Sequence, residues 1–539
     1  MTRHAETIAL AVLIVLSLLP LWLFAFIPTL DGPVHVYIAH ALAEWNNPGL
    51  GRLHQIFELN LRPEPNWTIY VLFEGLMKIF SVHTSERILL STYVVAMPLS
   101  FVAFARMAGG RNISWLAGLL AIPLVYNATF YFGFYNFCLS LPLFVLCTGL
   151  FLKYLEAPSL RIGAILAVAS FVLYFTHIVG WAAFGMAGAA LYLWRVCVLS
   201  PAEGRLKFAV RLAAQCALPV LPVVLLVLLF MQRNEGGVLL YAPADATLSN
   251  RIRWLATGSV LFGNSLWELG LIALSFAFAG ALAISSLRKR PGGLVLQDGL
   301  LLGTLFLIAT AFAIPDMLFG GGWTAIRIQI FVFILPLMWL AANLNGPLRR
   351  LSTGLAISGA LLLLVEVFVV ARLSEEFGHI VAAEAYVQPN RTILPVTFDP
   401  NGEDEHGLPA SRGVAFLLHS YARIATDRDL IPLRVHQAWT LNFPLHYNPK
   451  TDPYEHLRSV RSLLGSERNF PKVIAGLPGN IASYETQTGQ TVDYVLVIGT
   501  QHAVSRERTE TVVGELRQRY RVVAQSAALP GYVLLGRNQ

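Results

Sequence analysis

The stretch from Ile8 to Glu44 decides the class of fold. Residues 8–27 read IALAVLIVLSLLPLWLFAFI, and residues 28–44 read PTLDGPVHVYIAHALAE. The first part carries no charge and has the length at which a helix rising about 1.5 Å per residue crosses roughly 30 Å of hydrocarbon. It is longer than the apolar core of a typical signal peptide, and no small-x-small cleavage site follows it. We therefore interpret it as a retained signal anchor.

The composition of the whole chain is that of a membrane protein. Of its 539 residues, 55% are hydrophobic and 13% are charged, whereas soluble domains contain about 25% charged residues. The formal net charge is +7, but the Lys and Arg residues lie in short loops between apolar runs rather than on one basic face. We expect the bilayer as the main partner and no nucleic acid.

The four cysteines give no sign of a covalent or metal framework. All of them lie in or beside apolar segments, and none follows Ser374: they are Cys138, Cys147, Cys197 and Cys216. No disulfide framework or metal quartet can be built from this arrangement, so we interpret them as small core residues.

Eleven apolar runs are predicted to span the membrane. They lie approximately at 8–27, 87–106, 113–127, 130–152, 161–177, 178–196, 211–231, 265–287, 298–316, 324–344 and 352–371. Threading them with the Lys/Arg-rich short loops inside the cell places the N-terminus in the cytoplasm. Eleven is odd, so the segment after Arg372 emerges outside, on the same face as the loop that begins at Asp31.

Residues 31–86 are predicted to form one large external loop. Within it, the segments 34–46 and 66–80 are expected to lie along the membrane surface or dip into it. The second segment is apolar but short, and it carries Glu74 and Lys78. If the region 66–86 also spans, the number of transmembrane helices rises to twelve or thirteen.

The last third of the chain has a different pattern. Short β-rich apolar runs begin at Arg391, Thr491, Tyr520 and Gly531, and the charge pattern of residues 507–519 is helical. We predict a multi-span domain at 1–373 and a soluble extracytoplasmic α/β domain at 374–539. This tail contains no G-x-G-x-x-G sequence, no Walker A loop and no defensible Ser-His-Asp spacing. A sequence pI of about 9.2 and the absent cleavage site suit a bacterial inner membrane.

Asp31 is the first candidate for chemistry, because it places a carboxylate where the chain leaves the first span. It precedes Pro33 at the head of a short helix, so capping that helix is the alternative role. The functional hypothesis is a general base for a hydroxyl or amine acceptor.

Arg327 is the second candidate, since it lies in the outer turns of an otherwise apolar helix. An arginine there costs several kcal/mol unless it snorkels, pairs or meets an anionic ligand. The alternative to a ligand is a structural ion pair with Asp316. The bidentate fork and permanent charge of arginine suit a phosphate.

His177 is the third candidate, because ionisable residues at helix ends tend to face an internal cavity. Other residues of the same expected face are possible substrate contacts: His35, His40, Glu44, Tyr131, Tyr135, Asn136, Arg251, Arg253, Asp316 and Trp323. The tyrosines also fit an interfacial aromatic belt, and the two arginines of this set also fit contacts with lipid phosphates. The histidines and acids of the tail, among them Asp404, His406 and His419, lack metal-ligand spacing, so we expect them on a solvated surface.

These features together resemble the GT-C superfamily of membrane glycosyltransferases, which use polyprenyl-phosphate-linked sugars. Asp31 lies where that superfamily has its first-loop acid. Pro65-Asn-Trp-Thr-Ile-Tyr and Ser85-Glu-Arg-Ile-Leu are similar to the "P-x-x-Y-W … R-L" run of its protein-mannosyl and aminoarabinose transferase branches. The similarity covers chiefly residues 1 to 110. Asp31 is followed by Gly and Pro rather than by a second acid, which leaves metal dependence and the acceptor open.

The resemblance implies an inverting sugar transfer to a glycan, lipid or protein acceptor. Asp31 would deprotonate the acceptor, and Arg327, assisted by His177, would stabilise the departing lipid phosphate. No cofactor is implied, and a divalent metal ion is allowed but not indicated. Two other classes stay open: a transporter or flippase of a lipid-linked or envelope substrate, which predicts paired broken helices, and a non-catalytic scaffold that recruits an envelope partner.

Overall fold

The structure is a computed structural model of the 539-residue chain. It describes residues 3–109, 115–233, 247–290, 292–318, 321–344, 349–403, 408–440, 442–457, 470–501 and 503–538. Most of these residues are helical up to Tyr386, and a small sheet follows.

The amino-terminal two thirds consist of sixteen helices among the described residues. They are α1 (Arg3–Trp22), α2 (Gly32–Ala43), α3 (Gly51–Ile56), α4 (Thr68–Met77), α5 (Val82–Met107), α6 (Leu116–Leu119), α7 (Ala128–Tyr131), α8 (Tyr135–Glu156), α9 (Leu160–Thr176), α10 (Ile178–Cys197), α11 (Arg205–Arg233), α12 (Leu248–Thr257), α13 (Leu266–Arg288), α14 (Gly299–Ala313), α15 (Thr324–Ala342) and α16 (Arg349–Val381).

Eight of the described helices are long and apolar enough to cross a membrane, so the chain is a multi-pass membrane protein. They are α1, α5, α8, α11, α13, α14, α15 and α16. Helices α8 and α15 are buried among their neighbours, whereas α11 exposes leucine side chains along most of its length. In a membrane, α11 therefore faces lipid and α8 with α15 forms the interior of the bundle.

The predicted count of eleven spans is not confirmed. The predicted span at 113–127 is wrong, since its described part from Trp115 onward forms the short helix α6 and a 3₁₀ turn at Ile122–Leu124. The Asn127 side chain caps the next helix, α7, by accepting the N–H groups of Thr129 and Phe130, so a new helix begins inside the predicted span. The predicted spans at 161–177 and 178–196 are the helices α9 and α10, which lie outside the set of eight.

The external loop predicted at 31–86 contains the two predicted surface helices. They are α2 and α4, and between them lie α3 and the strand β1 (Phe57–Leu59). Their position along a membrane surface stays a prediction, because no membrane is present.

The carboxyl-terminal region is a small sheet domain with short helices. Its strands are β2 (Thr392–Thr397), β3 (Ile431–Pro432), β4 (Leu445–Tyr447), β5 (Tyr494–Ile498), β6 (Tyr520–Ser526) and β7 (Tyr532–Arg537). Its described helices are α17 (Tyr421–Asp427), α18 (His436–Trp439), α19 (Pro453–His456), α20 (Phe470–Ala475), α21 (Leu477–Thr488) and α22 (Ala503–Leu516). The sheet order is β3-β2-β5-β7-β6, in which β2 is parallel to β3 and β5, and β7 is antiparallel to β5 and β6.

The predicted α/β pattern of the tail is thus confirmed at β2, β5, β6, β7 and α22. Helix α16 continues to Val381 and so crosses the expected boundary at Ser374. The division at 373/374 stays a prediction.

The sheet domain packs directly on the first loop. Strand β1 pairs antiparallel with β4, with Phe57 opposite Tyr447. Helix α2 packs against α17, and His40 Nε2 lies 2.8 Å from a carboxylate oxygen of Asp429. The loop that begins at Asp31 is therefore covered by the carboxyl-terminal domain.

Candidate active site

A small polar cavity lies where the first loop, the helical bundle and the sheet domain meet. Its volume is about 70 Å³. The lining residues come from all three regions: Asp31, His35, Asn66, Phe134, Asn136, Phe137, His177, Gly321, Arg327, Gln437, Asn442 and Phe443. Five residues singled out in the sequence, namely Asp31, His35, Asn136, His177 and Arg327, thus meet in one place although they are far apart along the chain.

The backbone holds Asp31 in position without using its carboxylate. The Asp31 N–H donates to the Phe132 carbonyl at 3.1 Å, and the Asp31 carbonyl accepts the N–H groups of Val34 and His35. The backbone around Gly133 has a φ of +71°, and a Cβ there would lie 2.2 Å from the backbone nitrogen of Gly32. Only glycine therefore permits this close approach.

The capping role of the Asp31 side chain is wrong. Asp31 occupies the N-cap position of α2, but its side chain makes no capping hydrogen bond. Since Pro33 lies at the start of the helix and has no N–H, that position needs no acceptor. The carboxyl group is therefore free to face the cavity.

Burial dominates the electrostatics of Asp31. It raises the pKa of the Asp31 carboxyl from 3.8 to about 7, although the Arg327 charge and the hydrogen bond from Gln437 act in the opposite direction. His35 lies one turn further along α2, and its Nδ1 is 2.7 Å from the Tyr70 hydroxyl. Burial and the Arg327 charge lower the pKa of His35 to about 3, so its ring is neutral at physiological pH.

The Arg327 guanidinium is half-buried and has no counterion in contact with it among the described residues. Within the described part of the chain it has no hydrogen bond to its side chain and no ion pair within 4 Å, and its Nε is buried and unpartnered. The guanidinium carbon lies 4.0 Å from the centre of the Phe134 ring. This cation–π contact supports the charge but leaves the N–H donors available.

The alternative ion pair with Asp316 is not formed. Asp316 is buried, and its Oδ1 accepts the Ala325 N–H at 3.1 Å, at the first turn of α15. Its backbone carbonyl accepts the Thr324 hydroxyl at 2.9 Å. Asp316 therefore caps the helix that carries Arg327, and it influences the arginine only as a nearby charge.

The remaining polar side chains of the cavity wall are held in place by hydrogen bonds to the backbone. His177 Nδ1 accepts the Val179 N–H at 3.1 Å and so caps α10, which leaves Nε2 for the cavity. Asn136 donates to the Asn66 carbonyl at 2.8 Å and accepts the Ile69 N–H at 3.1 Å. The side-chain oxygen of Asn66 is buried without a hydrogen-bond partner.

The sheet domain contributes residues that sequence reasoning did not assign to the site. Gln437, on α18, lines the cavity together with Asn442 and Phe443, and it bonds to Asp31. His419 is not on a solvated surface as expected: it is 6% exposed, and its Nε2 lies 3.4 Å from Oδ1 of Asp31. Asp404 and His406, from the same expected set, lie outside the described residues.

The hydrogen-bond chain behind His419 determines which ring nitrogen faces Asp31. The Tyr421 hydroxyl donates its single proton to the Arg434 carbonyl, which can only accept. His419 Nδ1, 3.1 Å from the same hydroxyl, must then donate to it. The neutral ring therefore presents an unprotonated Nε2 to Asp31. A proton on the Asp31 carboxyl can be donated to this nitrogen, which stabilises the protonated carboxyl.

The other predicted contact residues lie away from the cavity. Tyr131 donates to Glu366, and Tyr135 donates to Glu86 at 2.8 Å. Glu44 accepts an Asn47 hydrogen bond at the end of α2, and His40 binds Asp429. Arg253 is exposed.

Two more of these residues shape the neighbourhood of α15. Trp323 packs against Phe132 and Trp254 at the start of α15. Arg251 is buried, and its Nη1 donates to the carbonyls of Ala311, Phe312 and Ile314 at the end of α14.

A larger apolar cavity adjoins the polar one. Its volume is about 370 Å³, and it shares Asn66, His177, Gly321, Arg327 and Asn442 with the polar cavity. Its other walls are mainly apolar side chains of α10, α11, α14 and α15. One cavity system therefore has a polar end at Asp31, a cation at its middle and an apolar end between helices.

Metal binding has no visible support from clustered ligands. Among the described residues, no group of three or more His, Cys, Asp and Glu side chains is arranged to hold a metal ion.

Known proteins provide an independent comparison for the fold. No protein-family model and no curated protein matches the sequence. Among solved structures, the chain is similar to the crystal structure of ArnT from Cupriavidus metallidurans bound to undecaprenyl phosphate, with a TM-score of 0.51 and 11% identity, over 99% of this chain and 98% of that chain. The apo state of the same protein gives a TM-score of 0.50 and 12% identity, over 98% and 97% of the two chains. The chain thus has a fold similar to that of ArnT over nearly its whole length.

Proposed function

We propose that this protein is a membrane glycosyltransferase that moves a sugar from a polyprenyl-phosphate donor to an acceptor on the extracytoplasmic side of a bacterial inner membrane. The single observation that carries the proposal is the meeting of Asp31 and the unpartnered Arg327 in one cavity. A carboxyl and a free guanidinium facing the same space suit a reaction that removes a proton from one substrate and releases an anion from the other.

The donor is assigned from the shape and polarity of the two cavities. A polyprenyl chain is apolar and long, and its phosphate is anionic. The apolar cavity between α10, α11, α14 and α15 suits the chain, and Arg327 lies where that cavity meets the polar one. ArnT, a structural neighbour, has been crystallised with undecaprenyl phosphate.

The reaction is an inverting displacement at the anomeric carbon. Asp31 takes the proton of an acceptor hydroxyl or amine, and the acceptor atom forms a bond to the anomeric carbon. The bond from that carbon to the phosphate oxygen breaks, and its electron pair stays on the phosphate. Direct displacement from the opposite face inverts the configuration, and the enzyme forms no covalent intermediate.

Arg327 stabilises the departing phosphate by fixed positive charge. Its donors are oriented before the reaction by the Phe134 ring, so little reorganisation is required when charge develops on the leaving oxygen. Such a preorganised group accelerates a reaction by about a hundredfold to a thousandfold. His177, whose Nε2 is left for the cavity, is the second donor that we assign to the phosphate.

Asp31 has the proton affinity that a base at neutral pH requires. A pKa of about 7 makes the carboxylate a stronger base than an exposed aspartate, while half of it is still ionised at that pH. The sheet domain covers the cavity through Gln437, Asn442 and Phe443. We assign selection of the acceptor to this covering domain.

The test is turnover by the purified protein with a panel of polyprenyl-phosphate sugars, followed as release of polyprenyl phosphate. We expect wild-type turnover on at least one donor and its loss in folded Asp31→Asn and Arg327→Ala. No release from any donor would refute the transferase and favour transport of a lipid-linked substrate, which liposome flux measurements would then reveal.

A further inference from the structure

A second polar cleft lies on the sheet domain, apart from the cavity at Asp31. Its volume is about 420 Å³, and it shares no lining residue with that cavity. It lies between helix α3 of the first loop and one end of the sheet, and its walls are Arg52, Tyr386, Gln388, Arg391, Thr491, Asp493, Tyr494, Arg521, Val523, Gly536, Arg537 and Asn538.

The walls of this arginine cleft are strongly cationic. Four arginines and one aspartate line it, which leaves three positive charges in excess. Val523 is the one residue with an aliphatic side chain among these lining residues. Because charged and polar groups dominate its walls, the cleft does not suit an acyl chain or an apolar cofactor.

An acidic residue of the cleft wall holds two of the arginines in place. Asp493 pairs with Arg52 and lies 3.7 Å from Nη1 of Arg391. Asp493 is itself held by the Thr392 N–H at 3.0 Å and the Thr491 hydroxyl at 3.1 Å. Because each arginine uses one nitrogen for its carboxylate, other N–H donors remain for a ligand.

The other two arginines differ in their support. Glu485 holds Arg537, with a distance of 3.0 Å between Nη1 and the carboxylate oxygen. Arg521 is exposed, and within the described part of the chain its side chain has no hydrogen bond or ion pair. The cleft therefore combines preorganised cations with one that is free to close on an anion.

The neutral residues of the cleft indicate what carries the anion. Tyr386 is 53% exposed, and with Tyr494 it offers aromatic surface at the cleft. Gln388 and Asn538 add amide groups that donate and accept hydrogen bonds. Aromatic faces with amides suit the C–H faces and hydroxyl groups of a sugar, and guanidinium forks suit a carboxylate or a phosphate.

We propose that this cleft binds an anionic saccharide, meaning a sugar unit that bears a carboxylate or a phosphate. The site is independent of the proposed transfer reaction, because it shares no residue with the cavity at Asp31. Such a ligand has two sources, a free sugar phosphate or a uronic acid unit of an envelope glycan.

The test is calorimetric titration of the detergent-solubilised full-length protein with four probes. Glucose 6-phosphate and trigalacturonate represent the two sources, maltotriose is the neutral control, and inorganic phosphate tests the anion alone. We expect one of the two anionic sugars to bind more tightly than both controls, with an affinity that falls as salt rises. Asp31→Asn should bind the same sugar equally well, which separates this site from the proposed active site.

The matched variants are Arg521→Gln in the cleft and Arg517→Gln outside it. Both arginines are exposed, so neither substitution removes a packed side chain. We expect Arg521→Gln to weaken binding about tenfold, the loss of a charge-assisted hydrogen bond, and Arg517→Gln to leave it unchanged. The proposal is overturned if no anionic sugar binds, if maltotriose or inorganic phosphate binds as tightly, or if the two variants lose affinity equally.

Discussion

Arg251 is buried and Arg327 is half-buried at the same end of the helical bundle, and their surroundings differ. Arg251 donates to three carbonyls at the end of α14, the shortest bond being 2.6 Å to Ile314. Arg327 has an aromatic ring beneath it and, among the described residues, no acceptor. A satisfied buried charge stabilises the fold, whereas an unsatisfied one costs free energy and is retained where a ligand completes it.

The two acids near Arg327 repeat this difference. Asp316 and Asp31 both lie at the beginning of a helix, and both influence Arg327 by charge. The Asp316 side chain accepts a backbone N–H of α15, whereas the Asp31 side chain accepts none of α2. Asp316 and Arg251 therefore stabilise helix ends, whereas the side chains of Asp31 and Arg327 face the cavity.

Among substitutions that test the difference between Arg251 and Arg327, we expect the largest effect from Arg327→Gln. We predict that turnover with a polyprenyl-phosphate sugar falls by about a hundredfold or more, because the leaving phosphate loses its preorganised cation. The thermal midpoint should not fall, because the substitution removes a charge that has no acceptor among the described residues and therefore costs free energy in the folded state. A destabilised variant with normal turnover when folded would show that Arg327 is structural.

Arg251→Gln should lower stability and leave turnover unchanged, the opposite of what we expect for Arg327→Gln. Three carbonyls at the end of α14 lose their donor, so we expect a loss of about 1.5–3 kcal/mol in the free energy of unfolding. Thermal unfolding in detergent measures it, and turnover of the remaining folded fraction should stay near the wild-type value. Loss of turnover without destabilisation would contradict the assignment of Arg251 to the scaffold.

A smaller effect is expected from His419→Gln. The neutral His419 ring presents a bare nitrogen to Asp31, whereas a glutamine amide can turn its N–H toward the carboxylate. The pKa of Asp31 should then fall by about one unit, because a hydrogen bond to the charged form favours ionisation. The midpoint of the kcat/KM profile against pH would move down by the same amount, and an unmoved midpoint would exclude this coupling.

The sequence predicted the helical bundle better than the way the sheet domain packs on it. Apolar length alone identified long helices such as α8 and α15, but it failed at 113–127, where Asn127 caps a new helix inside the apolar run. Asp31 and Arg327 were recognisable because charges beside lipid are costly. That they share a cavity followed from the expected topology and the resemblance, since each lies at the outer end of a span.

Two features of the site could not have been found without the fold. His419 and Gln437 follow Asp31 by about four hundred residues and stand in no motif, so only the packing of the sheet domain on α2 brings them to the cavity. Conversely, Tyr131 and Arg251 fitted a substrate site by position, but Glu366 and the end of α14 satisfy their polar groups. Hydrogen-bond partners are a property of three-dimensional packing.

The central claim is that Asp31 is the base, and the pH dependence of turnover tests it most directly. The Asp31 pKa of about 7 means that the carboxyl is protonated, and unable to accept a proton, below that pH. Folding therefore becomes less favourable as pH rises from 4 to 7, since the unfolded chain ionises at 3.8 and the folded one does not. Asp31→Asn should abolish this penalty and be the more stable protein at pH 8.

The measurement is kcat/KM from pH 5.5 to 8.5 for wild type, Asp31→Asn and the matched control Asp316→Asn, each with its thermal midpoint. We predict a wild-type rate that rises through about pH 7, the same rise in Asp316→Asn, which keeps the oxygen that accepts the Ala325 N–H, and a flat rate at least a hundredfold lower in Asp31→Asn. A wild-type rise that persists in Asp31→Asn at similar rates would contradict the account.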